Sequence, residues 1–177
     1  MQNKWLQLFL PHLIAVVVFL LIAVVYCKPV LEHKVLQQAD VTQYTAMARN
    51  SAVYKEKHGA FPLWTQGMFS GMPAYQIAID VQTFAPYAFF HDLLSLWLPK
   101  LPGFFFLACI CFYFLSQVLR VNPYIGIIGA LAFAYATYNP TALVAGHDTK
   151  MTALALLPAF IASILLIFEK NTSPDSP

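Results

Sequence analysis

Long apolar runs, separated by one long polar loop, dominate the hydropathy pattern of this chain. Four stretches lack Asp, Glu, Lys and Arg and are long enough to cross the ~30 Å hydrocarbon core of a bilayer. They lie at about residues 8–27, 101–119, 122–140 and 151–168. Backbone groups in lipid must be satisfied within the segment, so each stretch is predicted to be a helix. The pattern predicts an all-α polytopic bundle of four transmembrane helices, with one membrane domain at residues 1–170 and a polar tail at 171–177.

Composition supports a membrane protein. Hydrophobic residues make up 59% of the 177 residues and charged residues 10%, whereas soluble domains average ~25% charged. So little charge cannot cover a soluble sphere, and so much hydrophobicity excludes disorder. The formal net charge of +2 is scattered along the chain, which argues against a nucleic-acid partner.

The first apolar stretch has two interpretations, a membrane anchor or a signal peptide. Lys4 precedes it, as in a signal peptide. The apolar region is too long for that role, however, and no small-x-small cleavage site follows. Lipoprotein-type cleavage before Cys27 would need a small residue where Tyr26 stands. The anchor is the better interpretation.

Small residues distinguish the third stretch, including Gly126, Gly129 and Ala130. Such residues let helix backbones approach closely in a membrane. We therefore expect the third span to be the inner helix of the bundle, and the Phe-rich second span to face lipid.

The outer loop, residues 28–100, is far longer than helix connections require, and loops of this length are usually functional. Residues 40–57 have helical periodicity and are followed by Gly59, a helix stop signal. Residues 83–98 have the pattern of an amphipathic helix lying in the membrane interface. An aromatic, glycine-rich segment, residues 61–73, joins the two.

Two carboxylates stand out. Asp40 opens the first loop helix, where it fits a capping box with Gln43, but it could also act as a general base or metal ligand. Asp148 directly precedes the fourth span and has the same two interpretations, cap or functional group. Lys150, nearby at the start of that span, is typical of a phosphate site. Asp40 follows span one and Asp148 follows span three, so both lie on one side of the membrane and can share a site.

Two segments carry a resemblance to a known family. Residues 61–76 read FPLWTQGMFSGMPAYQ and residues 146–151 read GHDTKM. Together they resemble the amino-terminal part of YfhO-type bacterial membrane proteins, of the GT-C-like class of glycosyltransferases. The resemblance implies the amino-terminal part of a GT-C-like fold, with one or two interfacial helices in the outer loop. Family members have many more spans, so this chain is expected to be a fragment that is inactive alone and that pairs with missing carboxy-terminal spans.

The resemblance also implies a function: sugar transfer from a polyprenyl-phosphate-linked donor on the outer face of the bacterial inner membrane. Asp40 and Asp148 are the implied catalytic residues and the implied ligands of a Mg²⁺ or Mn²⁺ ion. The remaining implied substrate-binding residues are Lys150, His147, Trp64, Gln66, Phe69 and Tyr75. Membrane lipid and the donor lipid are the expected partners.

Alternatives remain open. A non-catalytic scaffold or assembly subunit could use the aromatic loop to dock a partner, and a transporter component is disfavoured because the spans contain no Asp, Glu, Lys or Arg. Lys and Arg residues flank both sides of the spans, so the positive-inside rule does not decide orientation. The resemblance favours cytoplasmic termini and an outer loop outside the cell.

Overall fold

The computed structural model describes residues 4–77 and 85–172. It is a helix bundle with one small hairpin. The elements, in chain order, are α1 (Lys4–Tyr26), α2 (Lys28–Leu31), α3 (Ala39–His58), β1 (Trp64–Thr65), β2 (Met72–Pro73), a 3-10 helix (Ala74–Gln76), α4 (Ala85–Leu94), α5 (Lys100–Val118), α6 (Pro123–Ala134), α7 (Tyr138–Ala145) and α8 (Asp148–Thr172).

Four segments of the described chain are helical, long and apolar enough to cross a membrane, which confirms the predicted all-α multi-pass architecture. They are α1, α5, α6 together with α7, and α8. With 19 residues, α5 is about 28 Å long at ~1.5 Å per residue, close to the hydrocarbon thickness. The polar tail was predicted from residue 171. Helix α8 extends to Thr172, and residues 173–177 lie outside the described part.

Helix α5 lies at the centre of the bundle, packed against α1, α6 and α8. Phe105, Phe106 and Leu107 are almost completely buried. By contrast, α6 exposes Ile125 and Ile128. The prediction that the Phe-rich second span faces lipid, with the third span inside, is therefore wrong.

The reason is that bulky and small residues form two sides of one interface. A Cβ added to Gly129 of α6 would lie 3.0 Å from the Phe112 ring of α5. Ala130 and Ala134, also on α6, are fully buried. Small residues on α6 do allow close approach, as expected. They mark the surface on which the large α5 side chains pack, rather than the most buried helix.

Helix α1 has two faces with a four-residue spacing. Ala15, Phe19 and Ala23 are buried against the bundle, and the opposite face is exposed and apolar. The exposed face comprises Phe9, Leu13, Val17, Leu21 and Val25. A polar contact also joins α1 to α5, because His12 Nδ1 and the Tyr113 hydroxyl are hydrogen-bonded at 2.8 Å.

The third span is interrupted. Predicted as one helix over residues 122–140, it consists of α6 and α7 with a break between Ala134 and Tyr138. Asn139, almost fully buried, donates from Nδ2 to the carbonyls of Phe133 (2.8 Å) and Ala134 (3.0 Å). Irregular backbone at membrane depth is tolerated when such partners replace the lost helical bonds.

Ion pairs join the two ends of α5 to the two ends of α8. Lys100, the first residue of α5, contacts Asp148, the first residue of α8. Arg120, just beyond the end of α5, contacts Glu169 near the end of α8. The two helices are therefore parallel and in register along their length.

The outer loop confirms one predicted helix and revises the rest. Helix α3 spans Ala39–His58 and ends at Gly59, close to the predicted residues 40–57. Trp64 pairs with Pro73 and Thr65 with Met72 in a short antiparallel hairpin that the sequence pattern did not predict. Helix α4, Ala85–Leu94, covers part of the predicted interfacial helix 83–98, of which residues 83 and 84 lie outside the described residues.

Candidate functional site

Two helices meet at a sharp turn that places the candidate site residues at one corner of the bundle. Helix α7 ends at Ala145, and Gly146 follows with a φ of +109°. A side chain there would be strained, and its Cβ would lie 3.3 Å from Asp40 Cβ. Glycine at position 146 therefore allows α3 to approach the start of α8.

Asp148 is held by groups from two other segments. Its Oδ2 contacts the Lys100 ammonium, and its Oδ1 accepts a hydrogen bond from Gln38 Nε2 at 3.2 Å. Gln38 Nε2 also donates to the Leu143 carbonyl at 2.5 Å. The Asp148 side chain is only 19% exposed, so these partners offset the cost of removing its charge from water.

Asp40 pairs with the residue next to Asp148. Its Oδ2 lies 2.9 Å from His147 Nε2, and both side chains are about half exposed. The predicted capping box is wrong, because Gln38 occupies the N-cap position without a capping side-chain bond and Asp40 lies within the first turn of α3. The two predicted acids thus approach one corner, through His147 and Gln38. We call Gln38, Asp40, Lys100, His147 and Asp148 the α8 corner.

Lys150 has a different environment from the one predicted. Its Nζ lies 5.3 Å from the centre of the Tyr138 ring, within the range of a cation–π interaction. Lys100 is the lysine that contacts Asp148. A lysine at the end of an outer loop is expected to snorkel toward lipid headgroups. The position of Lys100 in the sequence therefore did not mark it as a site residue.

The residues of the α8 corner do not form a metal-ligand set. Each carboxylate faces a protein cation or donor, Lys100 for Asp148 and His147 for Asp40. Within the described residues, no group of three or more His, Cys, Asp or Glu is positioned to hold a metal ion. Binding of Mg²⁺ or Mn²⁺ by Asp40 and Asp148 stays a prediction.

A cavity of about 330 Å³ opens on one side of the Lys100–Asp148 pair. Its floor includes Phe104, Leu107 and Met151. Its outer wall is the polar face of α4 and the turn after it, contributed by His91, Asp92 and Ser95. The side chains of Asp92 and His91 are in contact at 3.2 Å and line the cavity.

A groove lies on the other side of the same ion pair, toward α1. Its polar end is a cavity of about 340 Å³ that includes His33, Lys34 and Lys100. Its apolar end is a cavity of about 240 Å³ lined by residues such as Tyr26 and Phe105. Five residues line both: Val30, Lys34, Val35, Leu36 and Leu101. The groove is therefore amphipathic, with Lys100 and Asp148 at one end, aromatic residues at the other and Lys34 where the two cavities meet.

The predicted aromatic substrate-binding residues lie away from the α8 corner. Trp64 and Gln66 line a cleft against the middle of α3. Asn50, in the same cleft, is ten residues beyond Asp40, which corresponds to about 15 Å along the helix. Phe69 and Tyr75 are 83% and 66% exposed.

Gln38 and Lys100 are the main site residues that sequence reasoning missed. Lys100 directly precedes an apolar span, and a basic residue there is normally a topology marker. Gln38 lies in a polar segment without a motif. Only the fold brings both to Asp148, so the sequence carried no specific signal for either.

Comparison with known proteins adds no assignment. No family model matches the chain, and no curated protein or solved structure matches it.

Proposed function

We propose that this chain is the amino-terminal part of a membrane glycosyltransferase that uses a polyprenyl-phosphate-linked sugar donor. The main supporting observation is the α8 corner, where Asp40 contacts His147, the residue next to Asp148, and where Asp148 pairs with Lys100 beside an amphipathic groove. The Asp148 side chain is only 19% exposed at the start of a membrane-spanning helix, and an ionisable residue shielded from water at such a position is a functional candidate. The proposal also rests on the resemblance of residues 61–76 and 146–151 to YfhO-type proteins.

The groove suits a phosphate-headed lipid. Lys34 and Lys100 line its polar end and would bind the phosphate, and the isoprenoid chain would lie along Tyr26, Leu101 and Phe105. Lys100 takes the role that the sequence suggested for Lys150, because Lys150 lies over the Tyr138 ring.

The chemistry requires a base and a stabilised leaving group. Asp40 would take the proton from an acceptor hydroxyl, as a general base within reach of a bound substrate. The acceptor oxygen then bonds to the anomeric carbon as the bond from that carbon to the phosphate oxygen breaks. The electron pair leaves with the phosphate, whose charge Lys100 would stabilise. His147, 2.9 Å from Asp40, would orient the carboxylate.

Photo-crosslinking with a diazirine-bearing polyprenyl phosphate, in nanodiscs, tests the donor site. We expect labelling of the groove and at least a tenfold loss in Lys100→Gln. Arg120→Gln is the matched control, because Arg120 is also paired with a carboxylate but lies at the opposite end of α5. Equal labelling of both variants would contradict the donor site.

Orientation and compartment belong to the same proposal. We propose a bacterial cytoplasmic-membrane location, with cytoplasmic termini and the outer loop outside. Donor lipids of this class and their acceptors would then meet at the α8 corner on the outer face.

A scaffold function is the second candidate. Residues 61–73, which contain the hairpin, are called the hairpin segment. Its residues Leu63 and Phe69 are 88% and 83% exposed. Exposed apolar residues mark interaction sites when they form a patch. A partner that binds there would be lost in Phe69→Ser and would stay bound in Asp40→Asn.

A further inference from the structure

A cleft on the outer loop is separate from the α8 corner. The hairpin segment packs across the middle of α3 and encloses a space of about 310 Å³. Gly67 permits this approach, since a Cβ there would lie 2.7 Å from Asn50 Nδ2. The volume is at the lower end of the ~300–1,000 Å³ typical of small-molecule sites.

The lining of the cleft combines aromatic rings with side-chain amides. Trp64 is 57% exposed with its indole edge against Gly71. Tyr54 is 44% exposed with its ring centre 4.3 Å from that of His58. Each ring therefore leaves part of its surface open to a ligand. Asn50 and Gln66 supply amides, each of which donates and accepts hydrogen bonds. Every described residue in the lining is uncharged. The cleft therefore favours a neutral ligand that has both apolar faces and hydroxyl groups.

Ser51 provides an independent indication that the cleft is a binding site. It is 1% exposed and is the one buried residue of α3 among those described. Its hydroxyl has no hydrogen-bond partner, although it lines the cleft. A buried polar group left without a partner is destabilising, and such groups in native structures call for an explanation such as a ligand.

We propose that this cleft binds a neutral pyranose, a monosaccharide or the end of a glycan chain. The C–H face of the sugar ring would pack on Trp64, and its hydroxyls would bond the amides of Asn50 and Gln66 and the hydroxyl of Ser51. The cleft lies about 15 Å from Asp40 along α3. The proposal therefore does not rest on the transferase function and would hold equally for a scaffold.

Fluorescence of Trp64 reports binding directly. In a Trp5→Phe/Trp97→Phe background, Trp64 is the remaining tryptophan of the three. We expect a saturable change on titration with methyl β-glucoside, methyl β-galactoside or methyl N-acetyl-β-glucosaminide. Glycerol and glucuronic acid are the controls for a non-cyclic polyol and a charged sugar, and neither should saturate the signal.

Substitutions locate the site. Gln66 is exposed, so Gln66→Ala should fold normally and weaken binding at least tenfold, as should Asn50→Ala. Leu63→Ala, in the same segment but outside the cleft, should bind as the parent does. Ser51→Ala should raise the melting temperature while weakening binding several-fold. The proposal is overturned if none of the three pyranosides binds the folded protein, or if Gln66→Ala binds as tightly as the parent.

Discussion

The Lys100 ammonium contacts Asp148 Oδ2, and this ion pair joins the first residue of α5 to the first residue of α8. Asp148 is mostly buried, and Lys100 also lines the groove next to α1. The pair therefore both fixes the packing of two parallel helices and lies between the two cavities of the proposed site.

A double-mutant cycle should measure this pair. We expect a coupling free energy of about 1–2 kcal/mol between Lys100→Ala and Asp148→Asn, above the ~0–1 kcal/mol of exposed pairs, because Asp148 is shielded from water. Thermal unfolding in detergent provides the measurement. The Arg120–Glu169 pair is the control: both of its side chains are more than half exposed, and we expect a coupling under about 0.5 kcal/mol. Equal couplings would contradict the packing role.

Asn139 should be essential to the broken third span. Asn139→Leu removes the donor that bonds two carbonyls at the break, which should cost about 1–3 kcal/mol because those acceptors stay buried. The free energy of unfolding by guanidinium or heat is the measurement. Thr141→Val is the control, because the Thr141 hydroxyl donates only to a carbonyl one turn earlier in the same region. A loss no larger in Asn139→Leu than in Thr141→Val would refute the role.

The number and position of the membrane spans were predictable because apolar length is a strong signal. The order of burial was not. Phe105 is 1% exposed, yet a Phe-rich helix reads equally well as a lipid-facing or a central one. The burial of α5 depends on the matching surface that Gly126 and Gly129 form on α6. Periodicity within one helix does not predict such a contact between two helices.

The candidate site was predictable only in part, because some of its residues lie in local sequence motifs and others are brought in by the fold. Asp40, His147 and Asp148 were singled out, and the structure brings them to one corner. Their partners Gln38 and Lys100 lie 110 and 48 residues from Asp148 in the chain. No local motif encodes such distant contacts, so the environment of Asp148 emerges only from the fold.

The α4 segment should lie in the membrane interface. Phe89 and Leu93 of α4 are exposed, as is Trp97 in the turn after it. Ser95, in the same turn, is buried and lies 3.5 Å from the Cβ position of Gly103 in the first turn of α5. In a variant whose other two tryptophans are replaced by Phe, lipids brominated near the headgroup should quench the fluorescence of Trp97 more strongly than lipids brominated near the chain end. The fluorescence of Trp64, measured in a variant with Trp64 as its one tryptophan, should be quenched by neither kind of lipid. Equal resistance of Trp97 would exclude interfacial placement.

Cysteine labelling tests the proposed orientation. Glu56, on the outer loop, and Arg120, at the opposite end of α5, are both exposed. In a background with the buried cysteines Cys27, Cys109 and Cys111 replaced by Ala, an impermeant maleimide should label Glu56→Cys in intact cells. Arg120→Cys should label only after permeabilisation. The reverse pattern would invert the topology.

Sugar transfer is the most direct test of the central claim, that Asp40 at the α8 corner is the base of a lipid-linked glycosyltransferase. Because the chain is expected to be inactive alone, membranes of cells that make it together with the carboxy-terminal spans that the resemblance implies, with or without Asp40→Asn, would be supplied with a radiolabelled polyprenyl-phosphate sugar. General-base catalysis contributes ~10²–10⁴-fold, so we expect transfer to fall at least 100-fold in Asp40→Asn with helical content and membrane level unchanged. Transfer that is equal in the two membranes would contradict the claim.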